Sequence, residues 1–234
     1  MYKIALTAGH YKYEAGKRCM KSLDPNETRE WVLNNRIADK VEALLAKNYT
    51  GYELLRTDDT TGEKNVPLAS RTTAANKFGA DFYLSIHHNA GIYGGKGGGI
   101  VAYVYTNAAA ESVKWQEALY NALIDATGLK GNRAEPLAKA NLHECRETNM
   151  PAVLLELGFM DSPADVPVIL TEKFADQCAE AIVKVLAERG KLTKKTVKKA
   201  QYKVMVGPYS DKEKAQKVAS LISALGTNAT VEEG

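Results

Sequence analysis

The feature that most constrains the fold of this chain is the regular alternation of strand-like and helix-like segments through its first 190 residues. Short apolar runs rich in β-branched and aromatic residues predict buried strands, and the segments between them carry apolar residues at helical spacing. Such alternation is typical of a mostly parallel, twisted sheet with helices on both faces. We therefore predict an α/β domain over residues 1–190.

Local signals place the individual elements. Apolar runs predict strands at residues 3–7, 52–55, 82–86, 100–105 and 152–157. The first long helix is predicted to begin at Pro25, with Asp24 as its cap and Glu27 completing a capping box. Further helices are predicted at residues 67–77, at 112–127 and after Thr171, and Gly190 is placed to end the last of them with a positive φ.

The composition turns basic and polar after Gly190, which predicts a linker over residues 191–200. Its lysines are typical of a solvated segment, and attraction to an anionic polymer is the alternative. Residues 201–234 carry the pattern of a small βαβ module, whose helix is capped by Ser210 with Glu213. Its predicted strands are residues 202–206 and 228–231. A module of 34 residues rarely buries enough surface to fold alone, so we expect it to pair with a partner.

The composition excludes several classes of protein. The three cysteines, Cys19, Cys145 and Cys178, are widely spaced, which fits neither a disulfide framework nor a Cys-x-x-Cys metal site. Reduced thiols in the cytoplasm are the simplest interpretation. Met1 is followed by a predicted strand instead of a signal-peptide core, and no run approaches the roughly 18 apolar residues of a membrane span. We expect synthesis in the cytoplasm without an export signal, no membrane span and no nucleic-acid partner.

Chemically active side chains follow three of the predicted strands. His10 comes directly after the first strand, His87 and His88 end another, and Glu156 interrupts an apolar strand near the end of the domain. Because ligand sites of α/β sheets are built at the carboxyl ends of strands, we expect these residues to converge. A catalytic zinc ion typically has three protein ligands and one position left for water. The sequence therefore predicts a zinc site for hydrolysis.

Each of these residues has a structural alternative. A single histidine such as His10 has little specificity by itself and could lie in a surface loop. His87 and His88 are adjacent, so they point to opposite faces of a continuing strand and only one readily joins a given metal. Asn89 could fix a backbone turn or hydrogen-bond a ligand, and the alternative is a loop asparagine that accepts a left-handed conformation. Glu156 is the clearest indication, because an acid in an apolar strand is seldom buried unless it is paired, metal-bound or catalytic.

Taken together, residues 1–189 resemble the zinc-dependent N-acetylmuramoyl-L-alanine amidases, a family that includes bacterial autolysins and phage endolysins. That family carries Gly-His after the first strand, a glutamate at the start of the first helix, a Ser-x-His-x-Asn segment and a Pro-Ala-x-Leu-x-Glu-x-Gly-Phe segment. The chain has all four. The resemblance implies that His10, Glu30 and His87 bind zinc and that Glu156 is the catalytic base and acid.

The helix glutamate has two candidates, Glu27 and Glu30. In the family the ligand precedes an Ile-Ala pair by seven and eight residues, and Ile37-Ala38 stands in that relation to Glu30. Glu27 is assigned to the capping box, which gives it a local structural role. The resemblance therefore favours Glu30 as the third ligand.

The resemblance also implies three substrate-binding residues, Arg71, Asn89 and Arg146. For Arg71 the family use is substrate contact or support of the site, and a solvated helix arginine is the alternative. Arg146 lies in the segment before the catalytic strand, where His143, Glu144 and Cys145 replace residues that are usually apolar or aromatic. We leave His143 and Cys145 out of the zinc shell.

The function implied by the resemblance is hydrolysis of the peptidoglycan amide between N-acetylmuramic acid and L-alanine, by zinc-activated water. Residues 202–210 and the helix after them resemble half of a SPOR-type peptidoglycan-binding module, and the missing half suggests a weak wall anchor or a homodimer. A wall substrate without an export signal favours a phage or prophage endolysin that acts on the cell wall after release, although a housekeeping enzyme also fits. The alternatives are a zinc carboxypeptidase acting on wall peptides and a non-catalytic wall-binding protein.

Overall fold

A computed structural model of the chain describes residues 1–196, 206–226 and 229–231. Its strands are β1 (Tyr2–Ala8), β2 (Tyr49–Thr50), β3 (Tyr52–Arg56), β4 (Phe82–Asn89), β5 (Ile100–Tyr105), β6 (Leu137–Ala140), β7 (Ala152–Phe159) and β8 (Thr193–Lys194). Its helices are α1 (Glu30–Asn48), α2 (Leu68–Phe78), α3 (Ala110–Thr127), α4 (His143–Arg146), α5 (Val166–Ile169), α6 (Glu172–Arg189) and α7 (Lys212–Ala224). Among these helices, none is long and apolar enough to cross a membrane.

Six of the strands form one sheet in the order β3-β1-β4-β7-β5-β6. All neighbours in it run parallel except β5 and β7, which are antiparallel. Alternate residues of β1 serve different faces, since Ile4 and Leu6 join the large core under α1, α3 and α6, whereas Ala5 joins a smaller cluster that includes Ala75 of α2. The predicted mostly parallel α/β sheet with helices on both faces is confirmed.

The start of α1 corrects the predicted capping box. The Asp24 carboxylate accepts hydrogen bonds from the backbone N–H groups of Asn26 and Thr28, which closes a local turn in place of a helix. Glu27 has a φ of 49°, in the left-handed region that a right-handed helix cannot include. The helix therefore begins at Glu30, and the prediction that it begins at Pro25 is wrong.

The first compact unit also ends later than predicted. The chain leaves α6 and returns as β8, which pairs antiparallel with β2, so the unit extends to Lys195 and includes half of the predicted linker. Gly190 has a φ of −77°, and the positive φ belongs to the next residue, Lys191, at 51°. The prediction for Gly190 is therefore wrong, although α6 does end at Arg189 beside it.

The second compact unit comprises residues 196–234 and is described through α7. The side chain of Asp211 caps this helix by accepting from the backbone N–H groups of Glu213 and Lys214, so the cap is Asp211 and not the predicted Ser210. The predicted strand at 202–206 lies outside the described residues apart from Val206. Residues 229–231, the described part of the other predicted strand, form no strand.

Candidate active site

Three neighbouring strands bring the predicted site residues together at one edge of the sheet. His10 follows β1, His87 lies near the end of β4, and Glu156 lies in β7. In the parallel pairing of β4 with β7, His87 and Glu156 are direct register partners. The carboxyl ends of these strands therefore form the expected cleft for a ligand.

Glu30 completes this group from the first turn of α1. Its Oε2 lies 3.2 Å from Nε2 of His10, and its Oε1 lies 3.1 Å from Nδ1 of His87. The ligand atoms of His10, Glu30 and His87 all lie within 4.8 Å of one another. Two imidazole nitrogens and a carboxylate oxygen at this spacing form a donor set that zinc binds in hydrolases.

The donors also fit a cation because the carboxylate is buried, ionised and partly unsatisfied. Glu30 is 1% exposed, and within the described part of the chain its Oε2 has no hydrogen-bond partner. Burial alone would raise the pKa of Glu30, but its contacts with His10 and His87 outweigh that effect and hold the pKa below the usual carboxyl range. The Lys17 ammonium, 3.8 Å from Oε2, shows that the site attracts positive charge.

Gly9 and Arg71 hold His10 in place. A Cβ at Gly9 would overlap the ring of His87, so only glycine lets that ring pack against the end of β1. His10 itself has a φ of 64°, and Nη2 of Arg71 donates to its carbonyl oxygen at 2.9 Å. The sharp backbone turn therefore occurs at His10.

Arg71 supports the site from inside the protein. It is 2% exposed, so the alternative of a solvated helix arginine is wrong. Besides His10, its guanidinium donates to the carbonyl oxygens of Ala8 and Val66 and to the hydroxyl of Thr7. With its guanidinium nitrogens bonded in this way, Arg71 supports the position of His10, and substrate contact by Arg71 stays a prediction.

His88 and Asn34 form a second layer behind the ligands. Nδ1 of His88 lies 2.8 Å from Oδ1 of Asn34, and Asn34 donates to the carbonyl oxygen of Gly9 and to Oε1 of Glu30. Burial lowers the pKa of His88 to about 3, so its ring is neutral. His88 lies outside the candidate ligand group, in agreement with strand alternation, whereas no pattern in the sequence indicated Asn34.

Glu156 has the environment of a proton carrier. In the described structure its Oε2 is buried and has no hydrogen-bond partner. Burial raises the pKa of Glu156 to about 8, because the charged form has lost its water without gaining donors. A carboxyl group with a pKa near the working pH can both accept and donate a proton efficiently.

The two remaining predicted substrate residues lie outside the metal-ligand group. Oδ1 of Asn89, the last residue of β4, accepts from the backbone N–H of Ala90, and Asn89 is not among the described residues with a positive φ. Arg146 donates to the side chains of Glu147 and Asn141 at the end of α4. Substrate contact stays a prediction for both.

Glu144 is the functional candidate that the sequence analysis missed. It is 3% exposed, and its Oε2 lies 3.6 Å from Nε2 of His87. An acid at a position that is usually apolar was visible in the sequence, but its neighbour in space was not. Only the packing of α4 against the sheet brings it to the histidine.

Comparisons with known proteins show which family the chain resembles. The chain matches the N-acetylmuramoyl-L-alanine amidase family over residues 4–188 and the SPOR domain over residues 178–231. The sporulation-specific N-acetylmuramoyl-L-alanine amidase of Bacillus subtilis is 32% identical over 231 residues, which cover 99% of this chain and 84% of that protein. The endolysin of Bacillus phage SPP1 is 30% identical, with 82% of this chain and 68% of the endolysin covered.

Solved structures show the same fold. The catalytic domain of CwlV, an N-acetylmuramoyl-L-alanine amidase from Bacillus (Paenibacillus) polymyxa, matches with a TM-score of 0.71 and 25% identity, covering 82% of this chain and all of that domain. An N-acetylmuramoyl-L-alanine amidase from Clostridium difficile 630 matches with a TM-score of 0.70 and 27% identity, covering 80% of this chain and 95% of that structure. The family predicted from the motifs is thereby confirmed, and the chain belongs to the N-acetylmuramoyl-L-alanine amidases, enzymes that hydrolyse peptidoglycan.

Proposed function

We propose that His10, Glu30 and His87 bind zinc and that Glu156 carries the proton when the enzyme cleaves the amide between N-acetylmuramic acid and L-alanine. The observation that supports this most strongly is the approach of the three ligand atoms to within 4.8 Å, with Glu156 in register beside His87. We choose zinc as the metal because the chain carries the motifs of the zinc-dependent amidases.

The proposed reaction uses the chain's own groups as follows. A zinc ion in this site would lower the pKa of a water toward about 7 and polarise the amide carbonyl. Glu156 accepts the proton of the attacking water as the new carbon–oxygen bond forms. It then delivers that proton to the alanine nitrogen as the carbon–nitrogen bond breaks, because a bare amide anion is a poor leaving group. The second proton of the water also passes to the amine, so the products are the lactyl carboxylate and the alanine ammonium group.

The bond that is cleaved can be identified from the products. Purified cell wall digested with the enzyme should gain new amino groups on L-alanine, measured by mass spectrometry and amino-group labelling. Release of terminal D-alanine instead would identify a carboxypeptidase and contradict the proposal. A chelator should abolish digestion and added zinc should restore it, which also distinguishes the enzyme from a non-catalytic wall-binding protein.

We further propose that the enzyme acts on the cell wall after release from the cytoplasm, as an endolysin, and that its C-terminal unit anchors it there. The phage endolysin among its relatives and the SPOR match support this proposal. The inactive Glu156→Gln variant should sediment with intact walls, and the same variant ending after Lys195 should sediment less. Equal sedimentation would contradict the anchor.

A homodimer through the C-terminal unit remains our proposal for the short module. No side chain of α7 is buried within the described residues, and Leu221 is 65% exposed. Light scattering of the full chain should give twice the chain mass. A monomer at micromolar concentration would contradict the proposal.

A further inference from the structure

Glu144 meets three side chains of a single strand. Its Oε1 accepts a hydrogen bond from the Tyr83 hydroxyl at 2.6 Å, and its Oε2 accepts from the Ser85 hydroxyl at 3.0 Å. The same Oε2 lies 3.6 Å from Nε2 of His87. Tyr83, Ser85 and His87 alternate along β4, so their side chains share one face of the sheet, and Glu144 of α4 covers that face.

His87 needs a partner on this side of its ring. Its Nδ1 faces Glu30 at 3.1 Å, whereas its buried Nε2 has no hydrogen-bond partner among the residues that the structure describes. The 3.6 Å separation from Glu144 is about 0.4 Å beyond the usual range of an N–H···O hydrogen bond. A small rotation of the imidazole closes that gap, and the carboxylate already faces the ring.

We propose that Glu144 is a positioning residue for the metal site, accepting the Nε2–H of His87 and thereby directing the unprotonated Nδ1 toward His10 and Glu30. Metal-bound imidazoles commonly donate their other ring N–H to a carboxylate, which fixes the tautomer and makes the ligand more basic. This inference rests on the ligand set of the proposed function.

Two fixed donors prepare Glu144 for this role. The hydroxyls of Tyr83 and Ser85 hold the carboxylate in one orientation, so Oε2 stays on the side of His87. The competing explanation is a purely structural contact that fastens α4 to the sheet. That explanation predicts a loss of stability whenever any of these hydrogen bonds is removed, with no specific effect on the metal.

The matched variants Glu144→Gln and Tyr83→Phe separate the two explanations. Glu144→Gln keeps the size of the side chain but removes its charge, whereas Tyr83→Phe removes a donor to Glu144 and leaves the carboxylate beside His87. Zinc affinity of the full chain is measured by competition with a chromophoric chelator, together with the melting temperature of each variant. We expect zinc affinity to fall roughly 10-fold to 100-fold in Glu144→Gln and to change less than threefold in Tyr83→Phe.

Equal zinc affinities for Glu144→Gln and the wild type, or equal losses in both variants, would overturn the proposal. If the wild-type chain itself bound no zinc, the proposed function would fail first and the inference with it. Nitrogen NMR of the zinc-loaded wild type gives an answer that needs no variant. We expect His87 to carry its proton on Nε2, and a proton on Nδ1 would overturn the proposal.

Discussion

Two glutamates, Glu144 and Glu156, lie on different sides of the His87 ring, and their pKa values are shifted in opposite directions. On the α4 side, burial alone would raise the pKa of Glu144, but its contacts with His87 and Tyr83 outweigh burial and lower the pKa to about 2. On the β7 side, burial dominates and raises the pKa of Glu156 to about 8. The pKa of the same side chain is thus lowered where donors are supplied and raised where they are withheld.

This difference arises from secondary structure. Glu144 faces β4 across the sheet surface, where alternate residues present the hydroxyls of Tyr83 and Ser85. Glu156 is itself part of a strand, next to His87 in register, and its buried Oε2 has no hydrogen-bond donor among the described residues. A chemical role is therefore assigned by the neighbours and not by the residue type.

Removing one of the proposed zinc ligands should have the largest effect on zinc binding and wall hydrolysis. We expect His87→Ala and Glu30→Ala to lose zinc and to lower wall hydrolysis by at least about 10³-fold, because the metal that would activate the water is no longer held. Zinc content by atomic emission and turbidity loss of cell walls measure the two effects.

Glu27→Ala is the matched control for the helix glutamate. Glu27 pairs with Arg18 at 3.1 Å and lies outside the ligand group, so its loss should leave zinc content unchanged. If zinc were lost in Glu27→Ala and kept in Glu30→Ala, the ligand assignment would be wrong.

Crowding the imidazole of His87 with a methyl group at Gly9 should have the next largest effect on hydrolysis. The added methyl of Gly9→Ala overlaps His87, so we expect hydrolysis to fall by about 10²-fold and the free energy of unfolding to fall by about 1–3 kcal/mol. Gly79→Ala is the control, since it has a positive φ but no atom within 4 Å of the new methyl. It should lower stability by about 1 kcal/mol without changing zinc affinity. Equal activity losses in both variants would contradict the steric explanation.

Weakening the hydrogen bonds that Arg71 donates to His10 and its neighbours should lower the free energy of unfolding. In Arg71→Lys the ammonium cannot replace the guanidinium at four acceptors, so we expect a loss of about 2 kcal/mol in the free energy of unfolding. Urea denaturation measures it.

Arg146→Lys, at the exposed end of α4, is the comparison and should leave stability unchanged within about 0.5 kcal/mol. A stability loss in Arg146→Lys as large as in Arg71→Lys would show that burial of Arg71 is not the cause.

The sequence predicts those features whose causes are local. Apolar runs encode the central strands, and because parallel strands end at a common edge, the convergence of His10, His87 and Glu156 follows from the pattern. The start of α1 was predicted wrongly because Asp24 and Glu27 carry the signals of a helix cap, yet the carboxylate of Asp24 closes a turn instead. A local signal there has two solutions, a helix cap and a closed turn, and the chain adopts the turn.

Other features depend on pairs far apart in sequence. β2 and β8 are two-residue strands that pair across 143 positions, at Thr50 and Thr193, and neither is long enough to show a strand pattern. Glu144 and His87 likewise meet only because α4 packs on the sheet. The sequence therefore predicts the candidate metal ligands of the site but not the side chains that surround them.

The most direct test of the central claim is the zinc content of Glu156→Gln measured beside its rate of wall hydrolysis. Our account predicts that this variant retains the zinc content of the wild type and loses about 10²-fold to 10⁴-fold in rate, because only the proton carrier is removed. Loss of zinc would make Glu156 a ligand, and near-normal hydrolysis would remove it from the reaction. Either result would contradict the division between metal ligands and proton carrier.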